Sequence, residues 1–270
     1  MGVVNITPDS FSDGGKFFDT DVAIAQGEKL AADGADILDI GGESTRPFSE
    51  PVPVEEEIRR VVPVIEQLAR RVSIPISIDT TKAAVARRAL EAGASIINDV
   101  AALRFDPGLA NLAVEFDTPL ILMHMLGEPK SMQVSPDYDN LIDDIRTFLE
   151  DAVNRAVELG VPRSKIIVDP GIGFGKTVAH NLLLLKHAQA FASLDLPVLI
   201  GPSRKAFIRK ILKQAHEEDI RADLPVVETG TQAAVAAAVL NGAHIIRVHD
   251  VANTVPTVKI LDALRDAENS

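Results

Sequence analysis

Residues 166–176 join a short apolar run to side chains that could do chemistry. The run 166–168 is β-branched and too short for a helix, so it predicts a buried strand. Asp169 follows directly, at the position where α/β proteins place binding and catalytic groups. The glycines of this segment allow tight turns and a close approach of the backbone to a ligand. A carboxylate beside such a loop indicates a binding site if other strands end in the same way.

Polar residues do follow the other predicted strands. Taken singly, each has a structural explanation, such as a loop cap for Asp39 and Asp79 or a satisfied core histidine for His124. Because the carboxyl ends of parallel strands meet at one rim of a barrel, the set as a whole indicates a site there. In chain order the set is Asn5, Asp39, Asp79, Asn98, His124, Asp169, Ser203, Arg204, Lys205, Arg247 and His249.

One part of this set offers carboxylates and an amide. Asp79, Asn98 and Asp169 suit a flat heterocycle with several N–H and C=O groups, because a ligand lacking those groups would leave buried polar atoms unpaired. The apolar residues that could enclose such a ring are Met123, Ile97 and Phe174.

The other part is basic and suits phosphate or carboxylate groups, since arginine forms bidentate hydrogen bonds and lysine acts as a point charge. The net charge of the protein is −12, so a basic cluster would act against the overall field. The two parts together predict a polar heterocycle that carries an anionic group, but they leave the reaction open. The basic part consists of Arg46, Arg204, Lys205, Arg247 and His249, with Asn5 nearby.

A repeated unit must position these residues: a short apolar strand, a loop and an amphipathic helix. The strands are nearly all apolar, which indicates a parallel sheet covered by helices. Eight such units in 270 residues predict an α/β fold, a single (β/α)8 TIM barrel with long loops at its C-terminal rim. An open doubly wound sheet is the alternative. Residues 1–270 are expected to form one domain. The predicted strands are 3–5, 36–40, 74–79, 95–98, 120–124, 166–169, 198–200 and 244–248.

Composition limits the class of protein. An apolar content of 46% and a charged content of 24% are ordinary for a soluble globular chain. The absence of cysteine excludes disulfides and thiolate metal sites. No run approaches the roughly 18 apolar residues of a membrane span, and no export signal precedes the first strand, so a cytoplasmic location is expected. The acidic net charge argues against a general nucleic-acid surface.

Two long signatures and six shorter ones resemble the dihydropteroate synthase family. They occur in the family order and extend over essentially the whole chain. The signatures are 3–15 (VVNITPDSFSDGG), 39–47 (DIGGESTRP), 77–80 (SIDT), 97–100 (INDV), 122–125 (LMHM), 169–176 (DPGIGFGK), 203–205 (SRK) and 247–251 (RVHDV).

The resemblance implies a pterin-binding TIM-barrel enzyme of folate biosynthesis. Such an enzyme is a transferase that joins p-aminobenzoate to 7,8-dihydropterin-6-ylmethyl pyrophosphate with Mg²⁺, releasing pyrophosphate and forming 7,8-dihydropteroate. It further implies an SN1-like route, inhibition by sulfonamides and a homodimer. A catalytic role is implied for Asp13, on a mobile first loop, and for Asp79, Asp169 and Lys205.

The same resemblance implies three neighbouring subsites. The pterin subsite would comprise Asp79, Asn98, Met123, Asp169, Phe174 and Lys205. The pyrophosphate subsite would comprise Asn5, Arg247 and His249, with Asn5 also at the metal. The p-aminobenzoate subsite would comprise Thr45, Arg46, Pro47, Phe174, Ser203 and Lys205, with residues 43–50 forming a second mobile loop.

Two features depart from the family pattern. Phe48 follows Pro47 where the family commonly has glycine, and phenylalanine does not readily adopt the φ > 0 conformations open to glycine. Phe48 is either a tolerated surface substitution or a hydrophobic lid that alters p-aminobenzoate or sulfonamide binding. The family also usually carries a segment before the first strand, so either a trimmed chain or a less covered barrel floor is expected here.

Two other functions stay open. A pterin-binding methyltransferase shares the barrel and the pterin residues but lacks the 7–15 loop and the anion-binding residues. A non-catalytic pterin-binding module would keep the pocket without turnover. Outside these motifs, the acidic run at 55–57 is interpreted as the first turn of a helix, where acidic side chains favour the helix dipole.

Overall fold

The computed structural model describes residues 1–6, 16–44, 49–128 and 132–267. Within these ranges eight strands alternate with helices. The strands are β1 (Gly2–Asn5), β2 (Leu38–Gly41), β3 (Ile76–Asp79), β4 (Ile96–Asp99), β5 (Leu120–Met123), β6 (Ile166–Asp169), β7 (Leu199–Ile200) and β8 (Ile245–Ile246). The helices are α1 (Lys16–Ala32), α2 (Val54–Arg71), α3 (Ala83–Glu91), α4 (Gly108–Glu115), α5 (Leu141–Glu158), α6 (Val178–Lys186), α7 (Ala206–Leu212), α8 (Pro225–Leu240) and α9 (Val251–Ala267).

The strands are parallel and pair in chain order. β1 to β6 form one six-stranded sheet, and β7 pairs with β8. Isolated bridges close the two remaining gaps, from Val168 to Val198 and from Gly2 to Val248. A 3.0 Å hydrogen bond from Val3 N to Val248 O supports the second bridge. The strand neighbours therefore run around a ring, and the predicted α/β fold of the (β/α)8 type is confirmed.

The strands separate two apolar regions, because successive residues point to opposite faces. One face packs into the main core beneath the helices; its members are Val4, Ile40, Ile78, Ile97, Leu122, Val168, Ile200 and Ile246. The other face fills the interior of the barrel, where most of the lowest side chains are apolar and the buried Ser77 of β3 is an exception. We call this group the apolar floor; it consists of Met1, Ile96, Ile121 and Leu199, with Ile37, Ile167 and Ile245 packed against them.

Further along the strands, two residues on in most of them, the same inward face becomes largely polar. We call this second group the polar layer, because six of its eight members have polar or charged side chains. It lies at the carboxyl ends of the strands, which is the rim expected to carry the site. The polar layer consists of Asn5, Asp39, Asp79, Asn98, Met123, Asp169, Gly201 and Arg247.

Several helices begin earlier than their sequence pattern indicates. The pattern predicts α6 at 181–190, whereas the helix begins at Val178 and a 3-10 helix (Ala188–Leu194) follows it. Thr177 caps α6 through a reciprocal pair of hydrogen bonds with His180, which fixes the start of the helix. The Ala-rich pattern predicts a helix over 231–240, whereas α8 begins at Pro225, because proline suits the first helical turn. No helix in the described ranges is both long enough and apolar enough to cross a bilayer.

Candidate active site

A cavity opens at the carboxyl ends of the strands, directly above the polar layer. Its walls combine acidic, amide and basic groups with apolar side chains, which is the combination that the sequence predicts for a polar heterocycle with an anionic group. The charged and amide residues of the wall are Asp79, Asn98, Asp169, Lys205 and Arg247. The remaining wall residues are Val100, Met123, Ile172, Phe174 and Gly201.

Arg247 connects three strands across the cavity. Its Nε donates to Asp39 Oδ2 at 2.6 Å and its Nη2 donates to Asp79 Oδ2 at 2.9 Å. Asn98 Nδ2 also donates to Asp39 Oδ2, at 3.1 Å. Asp39 is fully buried, so this carboxylate holds both Arg247 and Asn98 in place from below. Asp39 is therefore a support for the cavity wall and does not line it.

Asp79 has one carboxylate oxygen that its described neighbours leave unpaired. Its Oδ1 is buried and has no hydrogen-bond partner among the described residues. Burial raises the pKa of Asp79 to about 7, although the positive charge of Arg247 opposes the shift. An unpaired buried oxygen is costly, so a ligand N–H that reached it would relieve a desolvation penalty of about 1–3 kcal/mol.

Asp169 and the glycine segment after it form the opposite wall. Asp169 Oδ1 accepts a 2.7 Å hydrogen bond from Gly171 N, and burial raises the pKa of Asp169 to about 6. Gly171 has φ 74°, and a Cβ atom at this position would lie 1.9 Å from the carbonyl oxygen of His124. Only glycine fits there, and the resulting turn brings Phe174 back into the cavity wall.

Lys205 lies over the ring of Phe174, with Nζ 4.1 Å from the ring centroid. This distance is within the range of cation–π attraction. The two side chains pack on each other in the cavity wall, so an anionic or aromatic ligand beside them would meet a positive charge and an aromatic ring together.

Ser203, His249 and Asn5 lie at the same rim, outside the group that lines the cavity. Ser203 Oγ is 3.0 Å from His249 Nδ1 and accepts from His249 N at 3.2 Å. Asn5 Oδ1 and the Asp79 side chain both approach Gly41, since a Cβ atom built there would be 3.7 Å from Asn5 Oδ1 and 3.6 Å from Asp79 Cβ. The basic and amide groups thus border the acidic ones.

Known proteins are similar to this chain in both sequence and architecture. The sequence profile of the pterin-binding enzymes matches residues 1–249. The dihydropteroate synthase of Synechocystis is 45% identical over 264 residues, which cover 98% of this chain and 89% of that protein. The chain belongs to the dihydropteroate synthase family.

Solved structures agree with this membership. The Yersinia pestis dihydropteroate synthase, in a sulfonamide drug complex, superposes with a TM-score of 0.89 and is 43% identical, covering 99% of this chain and 93% of its own. The Xanthomonas albilineans dihydropteroate synthase, in complex with 7,8-dihydropteroate, gives a TM-score of 0.86 at 42% identity, covering 98% of this chain and 92% of its own. The resemblance inferred from the sequence signatures is thereby confirmed.

In this dihydropteroate synthase family member, two residues expected at the rim turn away from the cavity. His124 packs edge-on against Phe148 at 4.7 Å and its Nδ1 lies 3.0 Å from Lys176 Nζ. It directly follows Met123, which lines the cavity, so the alternation of the strand directs it outward. Arg204 has φ 58° and lies beside α8, with Nε 3.5 Å from Glu228 Oε2. The prediction that both belong to the site was wrong.

Ile97 is a third such residue. It was expected to enclose the ligand ring, but it faces the helices as part of the main core. Its neighbours Ile96 and Asn98 are the inward residues of β4, so the strand's alternation explains this error as well. Val100 and Ile172 line the cavity instead. They were missed because each lies in a loop beyond a strand, where residue spacing no longer indicates direction.

A buried lysine supports the glycine segment from behind. Lys176 Nζ donates to Phe174 O at 2.9 Å and contacts His124 Nδ1. Burial lowers the pKa of Lys176 to about 7. From the segment after β5, Gln133 Nε2 donates to Gly173 O at 2.5 Å and Tyr138 Oη to Gly175 O at 2.8 Å. The loop that carries Phe174 is thus held from the side that faces away from the cavity.

Other predicted site residues lie outside the described ranges. These are Asp13 of the first loop, and Thr45, Arg46 and Pro47 of the second together with Phe48.

Proposed function

We propose that the protein joins p-aminobenzoate to 7,8-dihydropterin-6-ylmethyl pyrophosphate, giving 7,8-dihydropteroate and pyrophosphate. The observation that carries this proposal is one cavity in which Asp79, Asn98 and Asp169 face Lys205 and Arg247. The acidic and amide wall suits the N–H and C=O groups of a pterin, and the basic wall suits its pyrophosphate. The complexes of the related enzymes with product and with a sulfonamide drug support the same substrate class.

For the pterin, the proposed contacts are the carboxylates of Asp79 and Asp169, the amide of Asn98 and the charge of Lys205. Met123 and Phe174 would pack against the ring. Asp79 Oδ1, which has no partner among the described residues, supports its role as an acceptor for a pterin N–H group. Asp169 accepts one bond from its own loop through Oδ1, which leaves its other oxygen to meet the ligand.

For the pyrophosphate, the proposed contacts are Arg247 and His249, with Asn5 beside them. Mg²⁺ would supply charge for the leaving group. The described residues contain no group of three or more His, Asp or Glu side chains placed to hold a metal. The amide oxygen of Asn5 is a hard ligand that fits Mg²⁺, which commonly keeps several waters and substrate phosphates around one or two protein oxygens.

For p-aminobenzoate, the proposed contacts within the described ranges are Phe174, Ser203 and Lys205. Thr45, Arg46 and Pro47 complete this proposed subsite from the segment between Ser44 and Ser49. Because sulfonamides share the arylamine and a negatively polarised group with p-aminobenzoate, the proposal includes competition by sulfonamides at the same place.

The proposed route is SN1-like. The bond between the pterin methylene and the pyrophosphate oxygen breaks first, and its electron pair leaves with the pyrophosphate. Asp79 and Asp169 stabilise the cationic pterin methylene, and Arg247 and His249 stabilise the departing anion. Removing one preorganised contact of this kind costs about 3 kcal/mol in the barrier. The arylamine nitrogen then attacks the methylene and loses a proton to solvent, so positioning matters more than a general base. Asp13 is proposed to act from the first loop.

The test measures pyrophosphate release from the pterin pyrophosphate and p-aminobenzoate in the presence of Mg²⁺. We expect release that depends on both substrates and is competed by a sulfonamide. Pterin binding without release would leave a non-catalytic pterin-binding module. Methyl transfer to cobalamin would identify a pterin-binding methyltransferase.

Three broader features accompany this proposal: one domain over residues 1–270, a homodimer and a cytoplasmic location. They remain predictions from the sequence and the family resemblance.

A further inference from the structure

Three successive main-chain carbonyls after β6 accept hydrogen bonds from side chains that do not line the cavity. They belong to residues 171–175, which we call the glycine segment. The three pairs are Gln133 Nε2 with Gly173 O at 2.5 Å, Lys176 Nζ with Phe174 O at 2.9 Å and Tyr138 Oη with Gly175 O at 2.8 Å. The middle carbonyl is that of Phe174, whose side chain lines the cavity. Its donor, Lys176, is only 3% exposed.

The surroundings of the Lys176 amine group are aromatic. Its Nζ lies 3.0 Å from His124 Nδ1. The His124 ring packs edge-on against Phe148 with centroids 4.7 Å apart, and its centroid lies 6.0 Å from that of Tyr138. Because His124 directly follows β5 and Phe148 belongs to α5, the amine group is anchored to the barrel wall and to a helix.

The glycine segment has little room to shift. A Cβ atom at Gly175 would lie 2.5 Å from Leu126 Cβ, and one at Gly173 would lie 2.9 Å from Lys205 Cδ. Leu126 belongs to the stretch after β5, whereas Lys205 lines the cavity. The segment is therefore packed between its support and the cavity wall. Since such packing is dense, a shift at the support is transmitted to the Phe174 ring.

The buried position of Lys176 is costly for folding. Burial lowers the pKa of Lys176 to about 7, although the charge of Asp169 opposes the shift. Within the described ranges, its Nζ contacts a carbonyl oxygen and an imidazole nitrogen and no carboxylate. An apolar side chain of the same length would avoid the desolvation cost. The amine group instead provides directed contact with two partners at once. This combination favours a role in geometry over a role in stability.

We propose that Lys176 is a positioning residue for the pterin ring. By holding the Phe174 carbonyl it sets the distance between the Phe174 ring and the ligand. The inference rests on the proposed function, which places Phe174 against the pterin. Lys176 does not line the cavity, and the proposed pyrophosphate contacts Arg247 and His249 follow β8. Loss of Lys176 therefore weakens pterin binding and leaves pyrophosphate binding in place.

The experiment measures the binding of two ligands to Lys176→Met by calorimetry. A gap of about 0.5–1 Å loses about a quarter to a half of the dispersion attraction between packed atoms. We therefore expect the Kd for the pterin pyrophosphate to rise by about ten-fold. The Kd for inorganic pyrophosphate with Mg²⁺ stays within about two-fold, because its proposed contacts are distant from the change.

Two further variants accompany Lys176→Met. Lys186→Met makes the same substitution at an exposed position of α6, and we expect it to leave both constants unchanged. Tyr138→Phe removes only the hydroxyl group that donates to Gly175 O, so the packing of the ring is kept. We expect the Kd for the pterin pyrophosphate to rise by about three-fold in this variant, the effect of one lost hydrogen bond.

A double-mutant cycle tests whether Lys176 acts through Phe174. Phe174→Leu removes the aromatic ring and keeps an apolar side chain in the cavity wall. In the Phe174→Leu background, we expect Lys176→Met to change the Kd for the pterin pyrophosphate by less than about two-fold, because the ring that it positions is gone. Independent effects of the two substitutions would instead multiply.

The outcomes separate this inference from the proposed function. If the wild type neither binds the pterin pyrophosphate nor releases pyrophosphate from the two substrates, the proposed function itself fails. If the wild type is active and Lys176→Met binds the pterin pyrophosphate equally well, the positioning role is wrong. Equal losses for both ligands, or effects that multiply in the cycle, would assign Lys176 to folding alone. Should Lys176→Met fail to fold, an unchanged Kd in Tyr138→Phe overturns the inference.

Discussion

The apolar floor and the polar layer occupy the same barrel interior, yet they have opposite effects on the stability of the fold. Ile121 belongs to the floor and is fully buried against other apolar side chains. Asp79 in the layer above is also buried, but it has an oxygen without a partner among the described residues. Removing apolar surface from water stabilises a fold, whereas burying an incompletely paired carboxylate destabilises it. The floor therefore supports the barrel, and the polar layer trades stability for ligand binding.

The largest expected effect follows from deleting a carboxylate of the polar layer. Asp79→Ala or Asp169→Ala should abolish measurable affinity for the pterin pyrophosphate and reduce turnover by about 100-fold or more. The free energy of unfolding should change little or rise, because a costly buried charge is gone. Calorimetry and urea unfolding measure the two quantities. Asp262→Ala, which removes a carboxylate from an exposed pair with Arg265, is the control. Near-normal pterin binding in either variant contradicts the proposed pocket.

The reverse effect is expected in the apolar floor. Ile121→Ala should lower the free energy of unfolding by about 2–5 kcal/mol, because it removes buried methyl groups and leaves a cavity. Pterin affinity should stay close to that of the wild type, since Met123 above it is unchanged. Urea unfolding measures the free energy, and calorimetry measures the pterin affinity. If Ile121→Ala weakens pterin binding as strongly as Asp79→Ala does, the comparison between the two layers fails.

A smaller effect is expected from a substitution that separates pyrophosphate binding from pterin binding at the rim. His249→Ala should weaken pyrophosphate binding by about 10–100-fold, the range expected for one hydrogen bond to a charged group. Binding of a pterin without its pyrophosphate should change much less. Competition binding with each ligand measures both constants, and His216→Ala, at an exposed position, controls for the loss of a histidine. Equal losses for both ligands would argue against separate pterin and anion subsites.

The remaining expected effect is a pH dependence of stability, which needs no ligand to be measured. The pKa of Asp79 is raised from 3.8 to about 7 in the folded chain, so its protonated form is favoured by folding. The stability that this group contributes is therefore fully present below its unfolded pKa and is lost as the pH rises through about 7. Urea unfolding between about pH 4 and 8 should show this loss in the wild type, and Asp79→Asn should reduce it. A stability difference that is constant with pH contradicts this account.

Much of the barrel could be predicted because its signals are local. The fold was indicated by short β-branched runs, by helix patterns and by polar residues after each strand. The polar residues were expected at one rim, and the structure has five of them in one cavity: Asp79, Asn98, Asp169, Lys205 and Arg247. The direction of a side chain after a strand was less certain. His124 follows the cavity residue Met123 by a single position, and one step along an extended chain reverses the face. Arg204 instead has φ 58°, a left-handed conformation that the alternation of a strand does not predict.

Contacts between segments that are far apart in the chain could not be predicted from the sequence. Arg247 bonds to Asp39, which lies 208 residues earlier, and Lys82 joins Glu43 and Glu57 across two loops. Each of these residues alone has an ordinary explanation at the end of a strand or in the first turn of a helix. Only the closure of the barrel brings the partners together, so their pairing has no signature in a single sequence.

The division of the strands into a six-stranded sheet and the β7–β8 pair has an evolutionary consequence. Asp79, Asn98 and Asp169 belong to the larger sheet, whereas Ser203, Lys205, Arg247 and His249 lie on or just after the pair. The two sets of contacts thus come from different strands of the ring, so a substitution in one set leaves the residue types of the other set unchanged. A descendant enzyme could thus recognise a different leaving group and still bind the same pterin ring. Arg247 would have to change as well, because it directly follows β8 and contacts Asp39 and Asp79 of the larger sheet.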